Sequence, residues 1–299
     1  RMARGAAPGA EAEAAAPRLI LYGPPQLLCD GRAVPASAWR AQRAFHLLVY
    51  LSLHPRGAGR DELLERFWPG RQTAAGRRNF HPTLSYVRKV MPPAAVPPIL
   101  REGEFYRLNP AYPLTCDAWD MDRALEEARG SREPQAKRAA LERAAELASG
   151  RFLEGFYADW ADELQARDRD RLEKLLLDLG ELCARASDFE AALEHLRRAA
   201  ELDEFREETR LRVMECLMRL GNQRAALVEW DRLRALLRAE LAIAPLPETE
   251  EAVRALLAGR GVHGWPERGP GGRAESLGPE PVTASGQAGL KRRARGSQR

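Results

Sequence analysis

The sequence predicts a mainly α-helical chain made of two unlike parts. The first is a small β-sheet with three helices and a closing β-hairpin, and the second is an all-helical repeat array. Three observations predict this. Short apolar runs broken by turn residues give way near residue 110 to long stripes at helical period. A self-similarity at an offset of 34 residues runs through the second part. The charge divides at the same place: residues 18–110 hold 14 Lys and Arg against 6 Asp and Glu, whereas residues 111–259 hold 23 against 32. At 299 residues the chain is long enough for two domains with tails.

The organisation expected is a disordered leader over 1–17, a first domain over 18–112, a helical domain over 113–259 and a disordered basic tail over 260–299. Within the first domain, RLILYGPPQLLCDGRAV gives two short apolar runs, and Asp30-Gly31 is a two-residue hairpin signal. The small sheet that results must pack on helices to be stable. Ala36-Ser37 offers a cap for a helix running to about His54, stopped by Pro55, Gly57 and Gly59. Arg60-Asp61 opens a second helix that Pro69-Gly70 ends, with Leu63, Leu64, Phe67 and Trp68 on its buried side. Trp68 reads as a core residue rather than a functional aromatic. After the third helix, a Pro/Ala stretch leads to ILREGEFYRL, which reads as strand, Glu102-Gly103 turn, strand.

The third helix, TAAGRRNFHPTLSYVRKVM, is the unusual one. Phe80, Leu84, Val87 and Met91 make one apolar stripe at i, i+4, i+7 and i+11. At about 100° per residue the opposite face carries Arg78, Pro82, Ser85, Tyr86 and Lys89. Arg77, His81 and Arg88 flank it, and no acidic residue occurs between Glu65 and Glu102. A solvated helix normally mixes signs, so a face stripped of carboxylates points to a polyanion. Thr73 is the candidate N-cap. Pro82 leaves two options: a regular helix from near Asn79 with the proline in its first turn, or one starting at Thr73 that bends. The second is favoured.

Sheet, helix, helix, basic helix and hairpin together describe a winged helix-turn-helix. In that arrangement one helix enters the major groove and the wing reaches the neighbouring backbone or minor groove. The stripe turns Arg78, Pro82 and Tyr86 towards base edges and places Arg88, Lys89 and Arg107 for phosphates or the minor groove.

Helices are expected near 117–129, 134–149, 160–186, 188–202, 206–220, 222–240 and 247–258. Ala191-Ala192-Leu193 falls on Ala225-Ala226-Leu227, Leu179 on Val213, Cys183 on Leu217, Leu196 on Trp230 and Leu202 on Leu236. A helical-hairpin period of 34 is that of tetratricopeptide repeats. The stretch Cys116–Asp120 reads as a linker between oppositely charged units, so a fragment of residues 18–110 is expected to fold alone.

Residues 18–110 resemble the winged-helix domain of OmpR/PhoB-type response regulators, and in particular that of the antibiotic-regulatory-protein (SARP) activators of bacteria. LYGPPQLLCDGRAV, RAFHLLVYLSLHP, RDELLERFWPG, RRNFHPTLSYVRKVM and FYRLNP carry the resemblance. The later stretch resembles the bacterial transcriptional activator domain through GRFLEGFYADWADE, DFEAALEHLRRAAELDEFREE and RLGNQRAALVEWDRLRALLRAELAIAPLPET. The resemblance implies groove-facing positions at Arg78, Asn79, Pro82, Thr83 and Tyr86, a phosphate-binding Arg88, and a minor-groove Arg107. Pro82 and the acidic tip of the wing depart from the family pattern. The function implied is a transcriptional activator on repeated promoter half-sites of double-stranded DNA, a homodimer there, in contact with the sigma or alpha subunit of RNA polymerase. The alternatives are a helical-repeat interaction scaffold, or the N-terminal part of a larger signalling regulator.

Other classes find little support. The four cysteines are scattered and read as buried free thiols of a cytoplasmic, nucleoid-associated protein. No apolar run reaches 18 residues, so no membrane span is expected. There is no Gly-rich phosphate loop, no His-Glu-x-x-His, no Gly-x-Ser-x-Gly and no paired Cys/His set. The five histidines are far apart in sequence. No enzyme activity, cofactor or metal is expected.

Overall fold

The computed structural model describes residues 16–69 and 74–265. A four-stranded sheet contains β1 (Arg18–Ile20), β2 (Gln26–Cys29), β3 (Arg32–Ala33) and β7 (Thr115–Cys116) in the order β3-β2-β1-β7. Asp30 and Gly31 both have positive φ, 51° and 72°, as a tight hairpin between twisted strands requires. Three helices follow: α1 (Gln42–Leu53), α2 (Arg60–Phe67) and α3 (Ala74–Val90). The second sheet is β4 (Ala58–Gly59), β6 (Phe105–Leu108) and β5 (Ile99–Glu102), antiparallel throughout. Leu47, Leu48, Leu51, Leu63, Phe80, Val87 and Tyr106 meet in the core between helices and wing.

The first helix departs from expectation. Ala36–Trp39 forms only a single 3₁₀ turn, the chain breaks at Arg40 with φ 52°, and α1 restarts at Gln42. The break lets Trp39 turn inward onto Phe45, with ring centroids 5.0 Å apart.

The second part comprises α4 (Asp117–Gly130), α5 (Pro134–Leu147), α6 (Asp159–Arg185), α7 (Phe189–Leu202), α8 (Glu207–Arg219), α9 (Gln223–Leu236) and α10 (Pro247–Leu257). A π turn over Leu237–Leu241 extends α9. Among the described residues of this part beyond β7 there is one isolated bridge, Tyr22 to Phe152, and no named strand. The 34-residue register extends to details of the turns. Asp188 caps α7 by accepting from the Ala191 N–H, and Asn222 caps α9 by accepting from the Ala225 N–H. Ser187 and Gly221, one position earlier, both have positive φ, 62° and 76°. Ala192 and Ala226 are both fully buried. No helix among the described residues is long and apolar enough to cross a membrane.

The two parts are joined by a built junction, not by a linker. β7 pairs in parallel with β1, bringing Cys116 opposite Leu19. Asp117 is buried, and its carboxylate accepts the Leu21 N–H at 2.9 Å and the Tyr22 N–H at 3.0 Å. The same carboxylate takes the Ala118 N–H at 2.8 Å, in the first turn of α4, where the helix dipole favours an anion. A loop before α6 continues the pairing. The Gly23 N–H donates to the Arg151 carbonyl, the Leu153 N–H to Leu21 and the Glu154 N–H to Gly23. Gly150 has to be glycine here, because a Cβ would lie 2.7 Å from the Gly23 nitrogen. The Tyr22 hydroxyl donates to Asp168 at 2.6 Å, and the Trp119 indole N–H donates to the Ser52 carbonyl at 2.8 Å. Trp160 and Phe156 pack on Tyr50 and Phe45 of α1.

A second tie lies at the other end. Residues 260–265, expected in the tail, fold back on the helices. Glu215 of α8 is fully buried and accepts the backbone N–H groups of Val262 and His263 at 3.2 and 3.0 Å. The His263 ring reaches it at 2.6 Å, and Trp265 is buried against Phe189.

Two predictions follow from these ties. Asp117→Ala leaves two buried N–H groups of the first domain unpaired, each costing on the order of 1–3 kcal/mol. Urea titration should therefore show a large loss of stability, and a fragment of residues 18–110, which lacks β7 and Asp117, should not give a cooperative transition. A fragment as stable as the full chain would show that the junction is dispensable. Glu215 supplies the pH dependence. Burial works against its ionisation, but the hydrogen bonds from His263 and Val262 outweigh it and hold the carboxyl below its ordinary range. A carboxyl depressed on folding stabilises fully above its unfolded value and loses that contribution as the pH falls through the folded one. Glu215→Gln should therefore be less stable at pH 6 and lose less on acidification to pH 3; parallel stability curves for the two proteins would contradict this.

Candidate nucleic-acid interface

α3 is amphipathic as its spacing requires. Phe80, Leu84, Val87 and Met91 are all nearly inaccessible to solvent and face the core. Phe80 stands at the centre, edge-on to Trp68 after α2 and to Tyr106 of the wing, with ring centroids at 6.2 and 5.0 Å. Trp68 is 2 % exposed, so it belongs to the core. The helix is continuous across Pro82, which brings no N–H to the turn before it. Thr73 and the side chain of Arg77 lie outside the described residues.

Opposite the core, Arg78, Asn79, His81, Pro82, Arg88 and Lys89 are exposed, and Ser85 and Tyr86 are half-buried. Tyr86 packs its ring against the core, so only part of it is available outside. Thr83 is a correction. The resemblance implies a groove-facing position for it, but it is 4 % exposed and its hydroxyl donates to the Asn79 carbonyl at 2.8 Å. It lies next to Leu84 on the inner flank of the stripe, and its hydroxyl is spent inside the helix. Arg88 reaches across to the wing, with one guanidinium nitrogen 3.5 Å from the Ile99 carbonyl.

The wing differs from expectation in its electrostatics. Arg107 is bound by Glu102 at 2.6 Å across the hairpin. Glu104 holds both Arg60, at 3.0 Å, and Arg101, at 3.3 Å. The acidic residues of the tip thus engage the cations of the wing, Arg107 included, whereas α3 carries no carboxylate. Phe105, not singled out in the sequence reading, is 58 % exposed beside Arg107. Period-2 alternation in FYRL carries the signal, since Phe105 and Arg107 share the face opposite buried Tyr106.

Known proteins resemble the chain over both parts. Residues 116–257 match the family described as bacterial transcriptional activator domain. The regulatory protein AfsR of Streptomyces coelicolor is 29 % identical over 261 residues, covering 84 % of this chain and 25 % of that protein. The chain thus spans about a quarter of the length of that relative. The structure of Mycobacterium tuberculosis EmbR, in complex with a low affinity phosphopeptide, superposes with a TM-score of 0.65 at 19 % identity. That match covers 84 % of this chain and 67 % of the other, and it shows the shared fold. The chain thus carries a winged helix-turn-helix fold followed by a stretch, residues 116–257, that is similar to the bacterial transcriptional activator domain.

Proposed function

We propose that the chain is a sequence-specific DNA-binding activator that reads repeated promoter half-sites as a homodimer. α3 lies in the major groove, the wing lies over the adjacent backbone, and the helical repeats contact RNA polymerase. It works in the cytoplasm on the nucleoid. The observation that carries this reading is the exposed face of α3: Arg78, Asn79, Arg88 and Lys89 stand outward around Pro82, with no carboxylate on the helix. Arg78 suits a guanine edge and Asn79 an adenine edge, while Pro82 and the open part of Tyr86 offer apolar surface to a thymine methyl. Arg88 and Lys89, in the last turn, are placed for phosphates. With Arg107 held by Glu102, the wing contributes Phe105 and a guanidinium that must trade a carboxylate for a phosphate.

The repeat domain supports a protein partner as well. Leu227 is 39 % exposed where its counterpart Leu193 is 9 % exposed, and Val228 beside it is open. Half-sites spaced about 10–11 bp apart put two copies on one face of the duplex.

Titration of variants at several salt concentrations, against a matched and a scrambled site, tests the reading. Arg78→Ala should lose about 1–3 kcal/mol on the matched site alone. Arg88→Ala should weaken both sites alike and lower the salt slope by about one. Phe80→Ala should unfold the first domain, since emptying such a position costs roughly 3–5 kcal/mol. Unchanged binding of both sites by Arg78→Ala and Arg88→Ala would turn the helix away from DNA.

A further inference from the structure

Three side chains that lie far apart in sequence meet where α5, α6 and α7 pack. Glu142 comes from α5, Cys183 from the last turn of α6 and His195 from α7, and one donor atom of each lies within 4.8 Å of the other two. The Cys183 side chain is fully buried. Nδ1 of His195 is shielded from solvent and has no hydrogen-bond partner, which a buried polar atom rarely tolerates. Four other buried side-chain atoms among the described residues share that state, but this nitrogen belongs to the residue that meets a thiol and a carboxylate, and that setting points to a ligand.

We propose that Glu142, Cys183 and His195 form a binding site for one zinc-class divalent cation, distinct from the DNA-reading surface. Sulfur, imidazole nitrogen and carboxylate oxygen together suit Zn²⁺ and exclude Mg²⁺ or Ca²⁺, which take oxygen donors. Three protein ligands leave a fourth position for water, the pattern of an exchangeable site rather than a closed structural one. Donors around a tetrahedral zinc stand about 3.5 Å apart, so the three groups close by about one ångström, within reach of small side-chain rotations.

The surroundings prepare each ligand. An imidazole ligates in its neutral form, and burial disfavours the charged form of His195. Cys183 is a free thiol that ligates as thiolate, so its S–H proton has to leave. Binding breaks that S–H bond, forms the sulfur–metal bond and delivers one proton to solvent. Glu142 is paired with Arg138 at 2.8 Å, and Arg138 also holds Asp188 at 2.7 Å. An incoming cation takes the carboxylate, and Arg138 stays on Asp188, so no charge is stranded.

The repeat shows that packing does not require these residues. At the offset of 34, Cys183 corresponds to Leu217 and His195 to Glu229, which is paired with Arg210 at 3.2 Å. The second repeat thus builds the same helix contacts with an aliphatic residue and an ion pair.

The test uses the full chain, stripped with a chelator and titrated with Co²⁺ as a coloured stand-in for Zn²⁺. The expected result is one ion per chain, a thiolate-to-cobalt charge-transfer band, displacement by Zn²⁺, release of about one proton per ion and a higher Tm. Cys183→Ser should abolish the band, and Cys216→Ser, which alters a neighbouring buried thiol, should keep it. His195→Ala should weaken Co²⁺ binding by at least the roughly ten-fold that even an outer-shell partner costs. Circular dichroism on each variant separates loss of the site from loss of the fold. Absence of the band at saturating Co²⁺, or its survival in folded Cys183→Ser, overturns the proposal.

Discussion

The whole architecture hangs on the carboxylate of Asp117. It is the first residue of α4, yet it completes the hydrogen bonding of the first sheet. β1 has only three residues, too few to be stable as an independent strand. Beyond Ile20 the chain leaves the sheet ladder, and Leu21 and Tyr22 are buried with backbone donors that water cannot reach. A buried anion is costly unless it is fully bonded, and here three N–H groups and a helix N-terminus surround it. Neither partner is satisfied without the other, so the two domains share one set of hydrogen bonds. The aromatic contacts of Trp160 and Phe156 with α1 add apolar area to the same junction. The position of the basic helix relative to the repeats is therefore fixed by packing, unlike that of a head on a flexible linker.

Charge on the first domain is less uniform than its composition implies. The acids of the wing engage its own cations and one from α2: Glu102 takes Arg107, and Glu104 takes Arg101 and Arg60 of α2. These pairs are exposed, so each adds little to stability. Their effect is on the field outside. A wing whose positive groups already face carboxylates presents a weak positive field, and the sequence of α3 contains no acidic residue.

Much of the fold was legible because it is local and periodic. The α3 stripe, the Asp30-Gly31 turn, the wing and the seven helices of the second domain each follow from residues within a few turns of one another. The exposed face of α3 was legible for the same reason. Thr83 was misplaced because a small β-branched residue on the flank of a stripe can turn either way, and its bond to Asn79 settles the choice. The break at Arg40 depends on where Trp39 is buried, which the local sequence does not state. Asp117 and Glu215 were invisible as keystones because their partners are 96 and 48 residues away. The pairing of Arg107 with Glu102 is a different case, since the hairpin register sets Arg107 opposite Leu100 and Glu102 opposite Phe105, which leaves the two charges diagonal on one face.

The repeat also shows how long-range contacts excuse a poor local choice. Gly221 fits its left-handed turn without strain, whereas Ser187 occupies the equivalent φ at a cost of roughly 1 kcal/mol or more. What differs is the next residue. Asn222 caps α9 and does nothing else that ties distant elements. Asp188 caps α7 and also binds Arg138 of α5, fifty residues away in sequence. A charged cap is worth about 0.5–2 kcal/mol, and a half-exposed pair adds up to about 1 kcal/mol. Together these offset the strain of the turn, so the less favourable residue sits where the tertiary tie is stronger. The first repeat is thereby anchored to α5, and through α4 and Asp117 to the first sheet.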